Sequence, residues 1–492
     1  MYKSIFVLIV IVFFSFPSIA EDIYIAQTAQ GGDTGVDSSN AHSVAWFNSS
    51  QNWKNQTGKI SEGDTVHLYG TISTALTIYG HNRTIFFEDD AKLSAPYWPA
   101  TGAIAGLDVN HILIDGGTNG LIECTDNGTA LGNQVFTVGI KLTHSSNSEL
   151  RNLTISNIYQ RTPYSNESNE NSGGSGIRLL GNSSNVSVHG CSIVNASQGI
   201  SVSLGSGETT SNLRIYNNII SGCSDGITCG SGGVNAIGID IEIYNNTISG
   251  NYVWDGSWTP PPGDGHHHND GIQCWSWHTG ASTTNLKIYN NTIGPNMGNS
   301  ISGWLFVEGY FPGLLIYNNL LKANVGSSPT NGFIFLKNGD NAKVYNNTVV
   351  SGGAGIGIGL NADTTDADLQ NNIIVNVAVG IRVDADCSVA VSDYNVFYGL
   401  GEILMYYQSG FSTFLDWQSL KGFDAHSITD DPLLDSNSKL TSPSPAIDAG
   451  IDFSAYFTTD KDGTARPQGL PWDLGAYEQQ QALSPPQNVR IE

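Results

Sequence analysis

Between Leu213 and Ile373 one pattern of alternating apolar and polar positions returns again and again. In Leu213-Arg214-Ile215-Tyr216-Asn217-Asn218-Ile219-Ile220, apolar residues fall on every second position until two asparagines interrupt the alternation. Copies run from Ile241 to Ile248, Leu286 to Ile293, Leu314 to Leu321 and Ala342 to Val349, and a last one from Asp368 to Ile373 has Gln370 in place of Tyr. A period of two is the signature of a strand with one face inside. The second asparagine stands at 218, 246, 291, 319, 347 and 372; four of the five spacings are 25 to 28 residues and the exception is 45. No amphipathic helix separates the copies, which excludes an α/β fold whose parallel strands are joined by helical crossovers. A solenoid remains, each turn laying short strands about 4.8 Å from those of the turn before. Asparagine at the same corner of every turn then stacks into a ladder of amides, and its tolerance of left-handed backbone suits the corner.

A second landmark keeps step with the first. Gly followed by a bulky apolar residue occurs at Gly139-Ile140, Gly176-Ile177, Gly199-Ile200, Gly226-Ile227, Gly271-Ile272, Gly303-Trp304, Gly332-Phe333, Gly355-Ile356 and Gly380-Ile381. One pair per turn predicts nine coils between residues 136 and 390, with Gly at a tight bend and the apolar residue inward. Earlier, less regular coils are expected before 136, as in Val109-Asn110-His111-Ile112-Leu113-Ile114-Asp115-Gly116.

With this repeat the chain resembles the pectate-lyase-like right-handed parallel β-helix superfamily, over half the chain or more. The resemblance implies an all-β, single-stranded right-handed parallel β-helix with irregular N- and C-terminal caps. It also implies a secreted polysaccharide-active protein, either a lyase working by cation-assisted β-elimination or a glycoside hydrolase; the alternative is a non-catalytic surface adhesin. The tail, through Asp431-Pro432-Leu433-Leu434, Ser444-Pro445-Ala446-Ile447-Asp448-Ala449-Gly450, Asp462-Gly463, Arg466-Pro467 and Asp473-Leu474-Gly475-Ala476-Tyr477-Glu478, resembles the choice-of-anchor type region of secreted bacterial β-helix proteins. The expected organisation is a leader at 1–20, an N-terminal cap with irregular coils at 21–135, and the β-helix core at 136–390. Long loops are expected at 155–175 and 251–270, a C-terminal cap at 391–480 and a linker stub at 481–492. The paired aspartates with Gly-His-Gly of polygalacturonases and the Asp-Pro-His of alginate epimerases are absent from the sequence.

Charge and leader narrow the partners. Lys3, the apolar run Ile5 to Phe14 and the small-residue site Ser18-Ile19-Ala20 read as a secretory signal cleaved after Ala20. The run is too short to span a membrane, and no second one follows. The 44 acidic residues outnumber the 20 basic ones, for a net charge of −24. That excludes nucleic acid as a partner and disfavours polyanionic glycans unless a cation such as Ca²⁺ bridges like charges. The expected ligand is therefore a polysaccharide or cell-surface glycan, with no organic cofactor; the chain is expected to be a monomer, and at this length it can bury a large core without staples. The six cysteines include no C-x-x-C pair, which argues against zinc or thioredoxin-like chemistry. Cys229 and Cys274 occupy equivalent positions and are expected to stack inward, as a disulfide or as two buried thiols.

The segment that stretches one spacing to 45 residues gathers the candidate chemistry. Four of the ten tryptophans and four of the eleven histidines lie between Val253 and His278. A long loop on a rigid scaffold is usually functional. Trp254 and Trp258 are the first candidates for stacking on sugar rings, followed by Trp275 and Trp277; packing of the loop onto the coil is the alternative. His266 and His268 share a side of an extended chain, where Asp264 or Asp270 can join them on a metal. The residue before each landmark glycine reads Gln198, Asp225, Asp270 and Ser302 in successive coils, with Asn331 one coil further. Two stacked carboxylates need a cation or a proton between them, or else both cap turns. A bridging Ca²⁺ suits a lyase, and a shared proton suits the acid and nucleophile of a retaining glycosidase. After the inward residue stand Lys141, Arg178, Ser201, Thr228, Gln273, Leu305, Ile334, Gly357 and Arg382. Arg178, two coils or about 10 Å from Asp225, is the candidate base, with Gln273 and Lys337 as further substrate contacts.

Overall fold

The computed structural model describes residues 20–126, 135–159, 174–251, 269–300, 302–401, 405–407 and 410–480. Three long sheets wrap one core: sheet A with fourteen strands, sheet B with twelve and sheet C with thirteen. The chain visits A, B and C in turn, as in Arg214–Tyr216, Ile219–Ser221 and Asp225–Ser231, and then starts the next coil. Each strand pairs in parallel with its counterpart one coil on, for example Ile215 with Ile243, Ile220 with Ile248 and Ile227 with Ile272. This is a right-handed parallel β-helix, and its inward isoleucines are fully buried. The expected nine coils are present as the sheet C strands between Val138 and Val383. Regular pairing begins earlier, at Asp22–Ala26. Trp53 and the short helix Val44–Phe47 pack on the core at that end.

The two asparagines of each repeat do different work. The first (Asn217, Asn245, Asn290, Asn318, Asn346, Asn371) takes the left-handed backbone that turns the corner from A to B, with φ near 50° to 57°. The second points inward and forms the ladder. Each Nδ2 donates to the Oδ1 of the next, at 3.0 Å from Asn218 to Asn246, Asn246 to Asn291, Asn291 to Asn319 and Asn319 to Asn347. The ladder runs on through Asn372 to Asn395, whose amide ends on the buried carboxylate of Asp424. Outside the same corner Tyr216, Tyr244, Tyr289 and Tyr317 stack face to face, their centroids 4.7 to 4.9 Å apart.

The tail folds back along this outer surface. Phe457 stacks on Tyr317 and Phe453 on Tyr345, beside the buried Trp472. The first asparagines hold it: Asn318 donates to the Thr459 carbonyl, Asn346 to those of Asp473 and Gly475, and Asn371 to that of Ile451. Arg466 and Glu478, both fully buried, pair at 2.7 Å inside the tail.

The landmark glycines from Gly139 to Gly303 have a different cause from the one the sequence suggested, whereas Gly355 does take the left-handed backbone of a bend, with φ +82°. Gly226 does not need positive φ; a Cβ there would lie 2.6 Å from Ile248 Cγ2 and 2.5 Å from the Gly271 carbonyl oxygen. Gly199 and Gly271 meet Ile220 and Ile293 in the same way, so Gly is required where sheet B packs tightly into the corner. Cys229 and Cys274 stack inward in register as expected, and both are free thiols.

One part of the expected register is wrong. Ile272 pairs with Leu305, not with Trp304, and Leu305 in turn pairs with Ile334 and Ile334 with Ile358. Leu305 and Ile334 are therefore inward and fully buried, and the outward row reads Gln273, Phe306, Phe335, Gly359, Arg382. Ser302 and Asn331 drop out of the aspartate row, because Asp270 falls opposite Gly303. A slip of one residue exchanges the two faces of a strand. The sequence could not reveal it, since Trp304-Leu305-Phe306-Val307 and Phe333-Ile334-Phe335-Leu336 have no polar member to mark the outer side.

Candidate functional site

Every described residue named as a candidate lies in a strand of sheet C or within two residues of one. Its outer surface has two rows. One reads Lys141, Arg178, Ser201, Thr228, Gln273 and Phe306 along the axis; the other reads Thr143, Leu180, Ser203, Gly230, Trp275, Glu308 and Lys337. Trp254, Trp258, Asp264, His266 and His268 lie outside the described residues.

Asp225 and Asp270 are stacked on adjacent coils, as the sequence predicts. The Gly226 amide donates to the Asp270 carbonyl, and the Asp270 amide donates to Asp225 Oδ1 at 3.3 Å. Asp270 is fully buried, and its Oδ1 accepts from the hydroxyls of Ser300 at 2.8 Å and Ser302 at 2.7 Å. Beside it, buried Asn251 donates to the carbonyls of Ser224 and Asp270. The Oδ1 atoms of Asn251 and Asn269 are buried without a hydrogen-bond partner among the described residues. Carboxylate and amide oxygens suit a hard cation such as Ca²⁺ rather than zinc. Among the described residues no group of three His, Cys, Asp or Glu side chains is placed to hold a metal. Arg178 sits two strands from Asp225 and three from Asp270, so it is not gathered into one constellation with them.

The two candidate tryptophans that are described part company. The Trp275 ring lies flat on Gly230 of the neighbouring strand, where a Cβ would fall 1.9 Å from it, so one ring face is already spent on the sheet. Trp277, just past the strand end, is 55% exposed and lies 3.9 Å from the His278 ring. Tyr310, in the equivalent turn one coil on, is 54% exposed. Together with Ser282 and Asn338 they line an open cleft of about 490 Å³. An exposed aromatic face with hydroxyl and amide groups beside it is what a sugar ring needs: CH groups stack on the ring and hydroxyls find partners. The sequence reading missed Tyr310, whose only signal was its place two residues before Pro312 in a turn.

Lys337 is an ion-pair partner of Glu308 on the next strand, at 2.5 Å, which occupies its charge. Gln273, half-buried in the first row, lies between Thr228 and Phe306. At the N-terminal end of sheet C a second cleft of about 630 Å³ opens over Leu107, Lys141, Thr143 and Leu180, walled by Tyr79 and Thr101.

Fold and site together define a right-handed parallel β-helix protein with a charged cleft on the outer surface of sheet C and an aromatic cleft at the turns that follow its strands. Residues 104–293 match the family described as "Right handed beta helix region". No curated protein matches the chain. Among solved structures, the GH136 lacto-N-biosidase from Eubacterium ramulus aligns with a TM-score of 0.52 at 13% identity, covering 83% of this chain and 68% of that one. Pectate lyase Pel9A aligns at 0.48 and 14% identity, covering 94% and 97%. The Streptococcus pneumoniae surface protein and adhesin PfbA aligns at 0.37 and 10%, covering 70% and 90%. At these identities the likeness is one of fold.

Proposed function

We propose that this chain binds and cleaves a polysaccharide laid along sheet C. The observation that carries the reading is the cleft between Trp277 and Tyr310, two large aromatic side chains more than half exposed and one coil apart. Neighbouring exposed apolar side chains rimmed by polar groups mark ligand-binding grooves, whereas single ones need no ligand. The enzymes named above, a lacto-N-biosidase and a pectate lyase, act on glycans from the same fold. The stacked Asp225 and Asp270 are the carboxylates on which we place cleavage, by cation-assisted β-elimination or by hydrolysis, with Ca²⁺ as the cation. Export through the leader at residues 1–20 fits a substrate outside the cell. A second reading, a glycan-binding adhesin without cleavage, is favoured by one fact: Asp270 is fully buried and bonded to two serine hydroxyls rather than open to a substrate.

The deciding experiment is a screen of the purified protein against plant, algal and bacterial polysaccharides. Unsaturated products indicate a lyase, new reducing ends without them a hydrolase, and retention without either an adhesin. Asp225→Asn and Asp270→Asn abolish cleavage and leave glycan retention if the aspartates are catalytic. Unchanged cleavage in both variants refutes that assignment, and failure to retain any glycan refutes the whole reading.

A further inference from the structure

The first two charged positions of the outer row, Lys141 and Arg178, are direct neighbours across adjacent strands. Two cations at that spacing repel. Lys141 is held below its ordinary pKa by burial and by Arg178, and burial alone lowers Arg178. Among the described residues no carboxylate forms an ion pair with either. Arg178 Nε is buried without a hydrogen-bond partner, and its guanidinium lies 5.4 Å from the Phe136 ring centre. The Lys141 ammonium has one carbonyl, Ala100, at 3.4 Å. Elsewhere on the same sheet Lys337 and Arg382 each have an acidic neighbour, Glu308 and Asp384. In a chain with 44 acidic and 20 basic residues, two adjacent cations with no acidic partner among the described residues stand apart.

The cleft beside them adds the second element. Leu107, 63% exposed, and Leu180 form an apolar floor next to Lys141, with Tyr79 as one wall. A bare inorganic anion has no use for that floor; a ring with a CH face and a carboxylate on its edge uses both. Arg presents a planar fork that matches a carboxylate, and Lys adds a mobile point charge.

Resting on the reading that sheet C holds a glycan, we infer that Lys141 and Arg178 form a recognition site for the carboxylate of an acidic sugar residue. That residue's apolar face lies on Leu107 and Leu180. The site is three strands, about 14 Å, from the strand that leads to Trp277. One glycan chain of several residues spans both, so the aromatic cleft supplies general affinity and the cationic end supplies selection for acidic over neutral chains. This revises the expectation from net charge alone. An overall negative surface repels a polyanion at long range, but screening limits that to about 8 Å at physiological salt, and the local pair decides at contact.

The test is calorimetric titration of the full chain with matched oligosaccharides: oligogalacturonate and oligoalginate, each beside its carboxyl-reduced form, and a sulfated glucan. Expected is tighter binding of the acidic member of a pair, weakened by added salt. Expected also is a loss of about tenfold or more in Lys141→Met/Arg178→Met, with little change toward the reduced form. The single variant Lys141→Met serves if the double variant does not fold, and a twofold or larger loss restricted to the acidic ligand supports the site. Equal affinity for acidic and reduced forms in the native protein overturns the inference. So does a preference for acid that survives both substitutions, or one shown only toward the sulfated glucan. In those cases, binding of the neutral forms that is lost in Trp277→Ala leaves the reading of sheet C intact. No binding of any form overturns both.

Discussion

Replacing Asn291 by Ala tests whether the amide ladder holds the solenoid together. Four hydrogen bonds vanish at once: Nδ2 to the Ile243 carbonyl at 2.9 Å and to Asn319 Oδ1 at 3.0 Å, and Oδ1 from the Asn246 amide and from Asn246 Nδ2, both at 3.0 Å. All the partners are buried, so water does not replace them freely. The Asn246 N–H is left with no acceptor, which costs about 1–3 kcal/mol, and each of the other three bonds is worth about 0.5–1.5 kcal/mol net. The expected loss is about 4 kcal/mol, a large share of the ~5–15 kcal/mol that holds a typical domain. In a solenoid such damage stays near its site, because each coil touches only its neighbours. Two measurements check it: the urea midpoint followed by tryptophan fluorescence, and hydrogen exchange at the amides of Asn246 and Asn291. Expected are a large downward shift of the midpoint and fast exchange at residue 246 with coils before Asn185 unaffected. A change below about 0.5 kcal/mol, the level of an ordinary surface substitution, refutes the argument that the ladder is a principal support.

Three further outcomes follow from the same structure. Trp277→Ala removes a side chain that is 55% exposed, so retention on glycan falls while the thermal midpoint stays within a degree or two of the native value; a large midpoint shift with binding intact refutes its role as a platform. His144 is raised above 6.5 chiefly by its hydrogen bond to Glu208, with Asp108 adding to it. Its contribution to stability is therefore fully present below pH 6.5 and fades as pH rises through the raised folded value. An NMR titration showing His144 at or below 6.5, or unmoved by Glu208→Gln, refutes this. Burial pushes the thiols of Cys191 and Cys223 up to about 12 and raises Cys274 through its contact with Cys229. A thiol reagent should then label none in the native protein and six after unfolding; a mass two units low for the unreduced chain indicates a disulfide instead.

The fold was legible because its signals are repeated. An Asn pair, an alternating strand and a Gly-Ile corner recur until chance is excluded, and the ladder, the aspartate row and the Cys229–Cys274 stack all follow from counting. The reading failed where the repeat lost contrast. From Trp304 to Val307 every residue is apolar, and only the observed pairing of Ile272 with Leu305 decides which of them face out. The site was less legible for a different reason: whether a side chain is open depends on neighbours that are distant in sequence. Trp275 and Trp277 look alike in the sequence, yet one lies against Gly230 and the other is more than half exposed beside His278. Asp225 and Asp270 look alike too, yet Asp270 is sealed by two serines from the following turn.

The cation pair shows the same limit from the other side. Lys141 and Arg178 are unremarkable as letters, since a lone surface base is usually solvated or paired. Their meaning comes from their surroundings, where no carboxylate among the described residues pairs with either, and that is a property of three dimensions. Net charge pointed away from acidic glycans because it averages over the whole surface. Recognition is governed at contact by the few charges within a screening length. A chain at −24 can therefore keep most carboxylate ligands at a distance and still select one, provided two adjacent cations with no acidic partner among the described residues stand beside a cleft.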